Sequence, residues 1–136
     1  MAGYSGTPLA KKLGIRPGFS LALVEAPAGF EETLEGLPGD VEPVRGLKGK
    51  GAVDVIVVFV TTRAELEKRF AQAAARLSAE TGAGVWVAWP KKASGVATDV
   101  TEDVLREVGL PSGLVDNKVC AIDATWSGLR FVRRRG

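Results

Sequence analysis

The chain has 136 residues, 46% of them apolar and 25% charged, and a formal net charge of +2. That is the size of one domain, 1–136, able to bury a core without disulfides or metals, and the charge balance excludes a strong pull toward nucleic acid or a membrane surface. There is no histidine and one cysteine, Cys120, which excludes an intrachain disulfide, His-based nucleophile systems and a conventional zinc site. Any catalysis would rest on carboxylates, lysines, Tyr4 or a bound cofactor. No apolar run reaches the roughly 18 residues that span a bilayer. No basic segment leads into an apolar one at the N-terminus, so the chain reads as cytoplasmic.

In chain order, Thr7-Pro8 predicts a helix start over Leu9 to Leu13, with Gly14 as its left-handed end. Phe19 to Ala26 reads as a buried strand, broken by Pro27-Ala-Gly29, and Phe30 to Leu37 as a short helix. Val41 to Val44 is a short strand, and Pro43 puts it at an edge. Gly46 to Gly51 is a flexible loop. Val53 to Val60 is apolar on both alternating faces, the pattern of a central strand in a covered parallel sheet. Thr62 and Glu65 have capping-box spacing for a helix running to about Ser78. Its stripe is Leu66, Phe70, Ala73 or Ala74, and Leu77, with Glu65, Lys68, Arg69, Gln72 and Arg76 facing water.

Val85 to Trp89 is a second strand buried on both faces. It runs into Pro90, Lys91, Lys92 and Ser94-Gly95, so it delivers two ammonium groups to one edge of the sheet. Thr101 caps a third helix, Glu102 to Val108, with Gly109 as its C-terminal cap. Lys118 to Asp123, a turn over Ala124 to Ser127 that carries Trp126, and Gly128 to Arg133 close the chain as a β-hairpin. The alternation of strands and helices predicts a three-layer, Rossmann-like α/β fold: a mostly parallel sheet with a C-terminal antiparallel hairpin.

Ligands of open α/β sheets bind outside the carboxyl ends of the strands. Glu25, Pro27 and Gly29, then Thr61, Thr62 and Arg63, then Trp89, Lys91, Lys92 and Ser94, and finally Asp123, Thr125, Trp126 and Ser127 fall at that edge. From these we take Arg63, Lys91, Lys92, Ser94, Thr125 and Trp126 as a candidate site for a small anionic ligand, with Trp126 able to stack on a ring. Against it stands the plainer assignment: Thr62 and Thr101 as caps, the lysines as a solvated loop, the tryptophans as packing. Gly-x-Gly-x-x-Gly is absent, and Glu31 and Glu32 would burden the helix start that a pyrophosphate needs. No phosphate-binding loop of the Gly-Lys-Ser/Thr type exists. Lys48, Lys50 and the Arg133–Arg135 tail lack the continuous face and stacking aromatics of a nucleic-acid binder. Cys120 reads as a small buried hydrophobe.

Tyr4, Lys12-Leu-Gly-Ile15, Gly84-Val-Trp-Val-Ala-Trp-Pro-Lys91, Gly113-Leu-Val115 and Trp126-Ser-Gly-Leu-Arg130 give the chain a resemblance, over nearly its whole length, to an uncharacterised bacterial family, number 3052 among the domains of unknown function. That resemblance implies no activity and no catalytic residue. Leu13 to Val24 also resembles the lead-in to the first strand of class I S-adenosylmethionine-dependent methyltransferases. The glycine-rich cofactor turn of those enzymes is missing, and where they place an acidic residue after the second strand, Val44 is followed by Arg45. The expected function is a non-catalytic module without a cofactor, binding a small anionic ligand or a protein partner. The alternative is a reduced methyltransferase-like protein that keeps its cofactor pocket around Glu25–Gly29.

Overall fold

A computed structural model describes residues 6–134; Tyr4 and the end of the basic tail lie outside the described residues. Six strands form one sheet: β1 (Leu21–Val24), β2 (Pro43–Arg45), β3 (Val55–Phe59), β4 (Gly84–Pro90), β5 (Leu114–Ala121) and β6 (Trp126–Arg133). Their order is β2-β1-β3-β4-β6-β5. The first four are parallel, and β6 runs antiparallel to both β4 and β5. The expected mixed sheet is therefore present. The hairpin returns inward, so β6 lies between β4 and the marginal β5.

Every residue of β1, β3 and β4 is buried, because helices cover both faces. On one face α2 (Arg63–Arg76) and α3 (Glu102–Gly109) set Leu66, Phe70, Ala73, Leu77 and Leu105 against Ile56, Val58, Val85, Val87 and Phe131. On the other, α1 (Leu9–Lys12) and a 3-10 turn, Phe30–Thr33, set Leu13, Phe30 and Leu34 against Val55, Val57, Phe59 and Trp86. The alternation of strand side chains thus divides one apolar sheet between two cores.

The caps of the two longer helices form as the sequence indicates, whereas at α1 Pro8, not Thr7, stands at the N-cap position. Thr62 accepts from the N–H of Glu65, and Thr101 from that of Val104. Gly14 ends α1 with φ of 77°. Elsewhere local signals yield to tertiary contacts. Arg76, expected in water, donates to the carbonyls of Gly51 and Leu47 at 2.7 and 2.6 Å, which ties down the glycine loop. Glu65 and Arg69 are likewise half-buried rather than on the water face. Trp126 opens β6 instead of sitting in the turn, because Asp123 accepts from the N–H groups of both Thr125 and Trp126 at 2.8 Å and closes the turn before it. Cys120 is half-buried, near the margin of the sheet.

Gly109 is not a cap. Its φ is −78° and the helix passes through it into a 3-10 turn that ends at Gly113. It is glycine because the Phe131 ring lies against it: an added Cβ would stand 2.6 Å from Cζ. Helix propensity alone would make Gly109→Ala stabilising by about 1 kcal/mol, but overpacking a filled core costs about 1–3 kcal/mol. We expect net destabilisation, seen as a lower urea midpoint with an unchanged slope. A raised midpoint would mean that the ring can move aside.

Candidate functional site

The chain leaves β1 for β2 on one side and reaches β3 on the other. That reversal opens a crevice at the carboxyl ends of β1 and β3, the usual ligand position in such sheets. Glu25, the first residue after β1, has φ of 57° and is the only non-glycine residue with positive φ among those described. A glutamate gains nothing from this conformation by itself; left-handed backbone costs an L-residue about 1–2 kcal/mol. Strain of this kind concentrates where function requires a particular geometry.

Glu25 borders a cleft of about 220 Å3 with Phe59, Thr61, Glu65, Arg69 and Trp126. A second opening of about 420 Å3 shares Glu25, Glu65 and Arg69 and extends along α2 to Lys68 and Gln72. The wall is tightly hydrogen-bonded. Glu65 accepts from the Thr61 N–H at 2.9 Å and its hydroxyl at 3.2 Å, and pairs with Arg69 at 3.3 Å. The Thr61 N–H is the main reason the Glu65 carboxyl is held below its usual range, burial opposing and Arg69 assisting. Arg69 also donates to the Phe59 carbonyl at 2.9 Å. Behind the cleft, Trp126 meets Phe59 edge to face at 5.1 Å, and Phe59 meets Phe30 at 4.9 Å.

Of the residues expected at the site, the structure brings Lys91, Ser94, Thr125 and Trp126 near one another, and of these four Trp126 lines the cleft. The Lys91 N–H donates to the Thr125 carbonyl at 2.8 Å, Trp126 pairs with Pro90 across the sheet, and the Ser94 hydroxyl donates to the Lys91 carbonyl at 2.6 Å. Ser94 thereby serves the turn Lys92–Ser94, in which Lys92 is exposed. Lys91 shares with Lys12 and Lys118 a positive field at Cys120; burial nevertheless pushes that thiol up, the lysines pulling it back. Arg63 is engaged elsewhere. Its guanidinium lies between Glu107 at 2.6 Å and Glu67 at 3.2 Å, and its N–H donates to Asp99. The sequence places Glu25 and Thr61 at this edge, and Glu25 in the alternative cofactor pocket, but neither in the anionic-ligand set, and it puts Arg69 in water; nothing in a sequence announces a strained backbone or a shared wall.

The cofactor turn of class I methyltransferases is not reproduced. The chain after β1 enters a 3-10 turn with Glu31 and Glu32 at its start. Arg45, at the end of β2 where an acid is expected, clamps that turn. Its Nε and Nη2 donate to the Glu31 carboxylate at 2.6 and 2.7 Å, and its Nη1 and Nη2 to the carbonyls of Ala26 and Pro27 at 2.7 and 2.9 Å. These residues do not fit the standard way of holding the cofactor, and no transfer step follows from them. The hydrogen bonds from Arg45 hold the Glu31 carboxyl below its ordinary 4.5. A lowered folded-state value stabilises the protein above the unfolded-state value, and that contribution is lost as pH falls through the folded-state value. The melting-temperature gap between the wild type and Arg45→Gln should therefore be full near neutral pH and narrow below pH of about 4.5. A gap independent of pH would show that only the two carbonyl bonds matter.

The sheet order and its crevice define a Rossmann-like α/β fold. Solved structures that share it include an S-adenosylmethionine-dependent methyltransferase from Aquifex aeolicus, with TM-score 0.59 and 14% identity over 90% of this chain and 86% of its own. Another is the fibrillarin of Aeropyrum pernix with bound S-adenosylmethionine, with TM-score 0.56 and 15% identity over 96% and 70%. A possible exported protein from Bordetella parapertussis gives TM-score 0.64 and 10% identity over 93% of this chain and 66% of its own. At such identities the likeness is one of fold. No family model matches the chain, the family numbered 3052 included, and no curated protein matches it.

Proposed function

We propose that this chain is a reduced methyltransferase-like domain that binds a small ligand in the crevice between β1 and β3, with adenosyl compounds the first class to test. The observation that carries this reading is Glu25, strained at φ of 57° where the sheet order reverses. Its carboxylate is suited to accept hydrogen bonds from a diol, and Trp126 lines the same cleft. Thr61, Glu65 and Arg69 give the wall its fixed polar edge. The fold neighbours favour this reading over a module with no relation to S-adenosylmethionine. What separates the chain from those enzymes is the Arg45 clamp, so binding, rather than methyl transfer, is the activity its own residues support. The test is a thermal-shift screen of S-adenosyl compounds, nucleotides, phosphates and acyl carriers, repeated on Trp126→Ala. A ligand at a hundredfold excess over its dissociation constant stabilises by about 2.7 kcal/mol. A shift with S-adenosylhomocysteine that Trp126→Ala removes supports the proposal.

A second reading retains the lysine loop: an anion held by Lys91 and Lys92 beside Thr125 and Trp126. It is favoured by the contact that sets Lys91 beside Thr125, the Lys91 N–H donating to the Thr125 carbonyl at 2.8 Å. A shift from simple anions that is lost in the double variant Lys91→Gln, Lys92→Gln would select it.

A further inference from the structure

The opposite edge of the sheet holds arginines that the crevice does not use. Between α2 and β4 the chain runs through Leu77–Gly82, and three guanidiniums converge on its carbonyls. Arg133 donates to Leu77 at 2.6 Å and to Ser78 at 3.3 Å, Arg16 to Thr81 at 3.4 Å, and Arg130 to Gly82 at 2.6 Å. Arg45, Arg63, Arg69 and Arg106 each hold a carboxylate within 4.0 Å; among the described residues, Arg16, Arg76, Arg130, Arg133 and Arg134 have no such ion pair, and of these Arg76 lies apart, against the glycine loop.

Two glycines make room for this cluster. A Cβ at Gly82 would stand 2.8 Å from the Arg16 Cζ, and one at Gly84 would stand 2.8 Å from the Arg130 Nε. The guanidiniums occupy the spaces those side chains would fill, and they meet at Gly82. Arg130 is half-buried, and its Nε is cut off from water with no hydrogen-bond partner. Burial and the like charge of Arg16 both work against its ionised form. A cleft of about 620 Å3 opens beside them, lined by Ser78, Glu80, Thr81, Arg130, Arg133 and Arg134 among others; Arg16 stands at its margin, against the lining residues Thr81 and Gly82. Arg130 alone is partly withdrawn from water, Arg16 and Arg133 being exposed, and the Gly82 carbonyl dipole meets its charge only in part.

We propose that this cleft binds a small phosphorylated ligand, its phosphoryl group bridging Arg16 and Arg130 with Arg133 and Arg134 at the rim. Planar guanidiniums match phosphoryl oxygens in pairs, and a dianion answers two cations where a single carboxylate answers one. The cleft is larger than a phosphate, so the ligand carries a body beyond that group. This site is independent of the crevice on the other edge.

The experiment is calorimetric titration of the full chain with pyrophosphate at low salt, then with a short single-stranded oligonucleotide. Saturable pyrophosphate binding that weakens at least about tenfold in Arg16→Gln, and also in Arg130→Lys, which keeps the charge but loses the fork, is the expected result. Arg16 is exposed, so its variant remains decisive if Arg130→Lys fails to fold. Trp126→Ala, at the far edge, should bind pyrophosphate as the wild type does. Absence of binding, binding to the oligonucleotide alone, or binding that survives Arg16→Gln but is lost with Lys91→Gln and Lys92→Gln would each overturn the proposal.

Discussion

Trp86→Ala should lower the free energy of unfolding by about 3–5 kcal/mol, the range for emptying a large aromatic site in a packed core. Trp86 is fully buried in β4, between Val57 and Arg130 on the neighbouring strands. Its indole N–H donates to the Leu13 carbonyl at 2.9 Å. That bond pins the last turn of α1 to the sheet, and Gly14 turns the chain toward Ile15 and Arg16 immediately after it. Trp86→Phe keeps most of the volume but leaves the Leu13 carbonyl without its partner, so a loss of about 1–3 kcal/mol is expected. Urea unfolding measures both. Since domains of this kind are stable by only about 5–15 kcal/mol, the alanine variant should sit near the edge of folding. A loss under 1 kcal/mol for Trp86→Ala would show that the second core does not hold α1 to the sheet.

Glu25→Gly should separate stability from binding. Glycine adopts positive φ freely, so the variant is expected to be more stable than the wild type by up to about 1–2 kcal/mol. It removes the carboxylate from the crevice, so the affinity for an adenosyl ligand should fall by at least about tenfold, the loss of one good hydrogen-bonding group in a binding site. Glu25→Gln keeps the strain but alters the acceptor, and should weaken binding without the gain in stability. Thermal melts and calorimetry on the same samples report both quantities. If Glu25→Gly bound as tightly as the wild type, the strain would have no bearing on the ligand.

The positions of β3 and β4 were legible because a run such as Val55–Phe59 can be apolar on both faces only inside a covered sheet. The caps at Thr62 and Thr101 were legible because a side chain three residues from its partner acts locally. The site was legible only as an edge. The crevice depends on the backbone of Glu25 and on Arg45 reaching Glu31 across 14 residues, and neither is encoded in a local pattern. The same holds for Arg130, whose place over Gly84 pairs residues far apart in the chain. Arg63 illustrates the converse: its position at a helix start suggests an available cation, yet Glu107, 44 residues away, takes its charge. Gly109 signals a helix end by type alone, whereas the ring of Phe131 determines its role.

The most direct measurement is an amide and indole NMR titration of the wild-type protein with S-adenosylhomocysteine. A ligand in the crevice should move the amides of Glu25, Thr61 and Glu65 and the Trp126 indole signal together, saturably, while Ser78–Gly82 stay still. No perturbation at millimolar ligand, or shifts confined to the arginine edge, would contradict the proposal that this crevice binds an adenosyl compound.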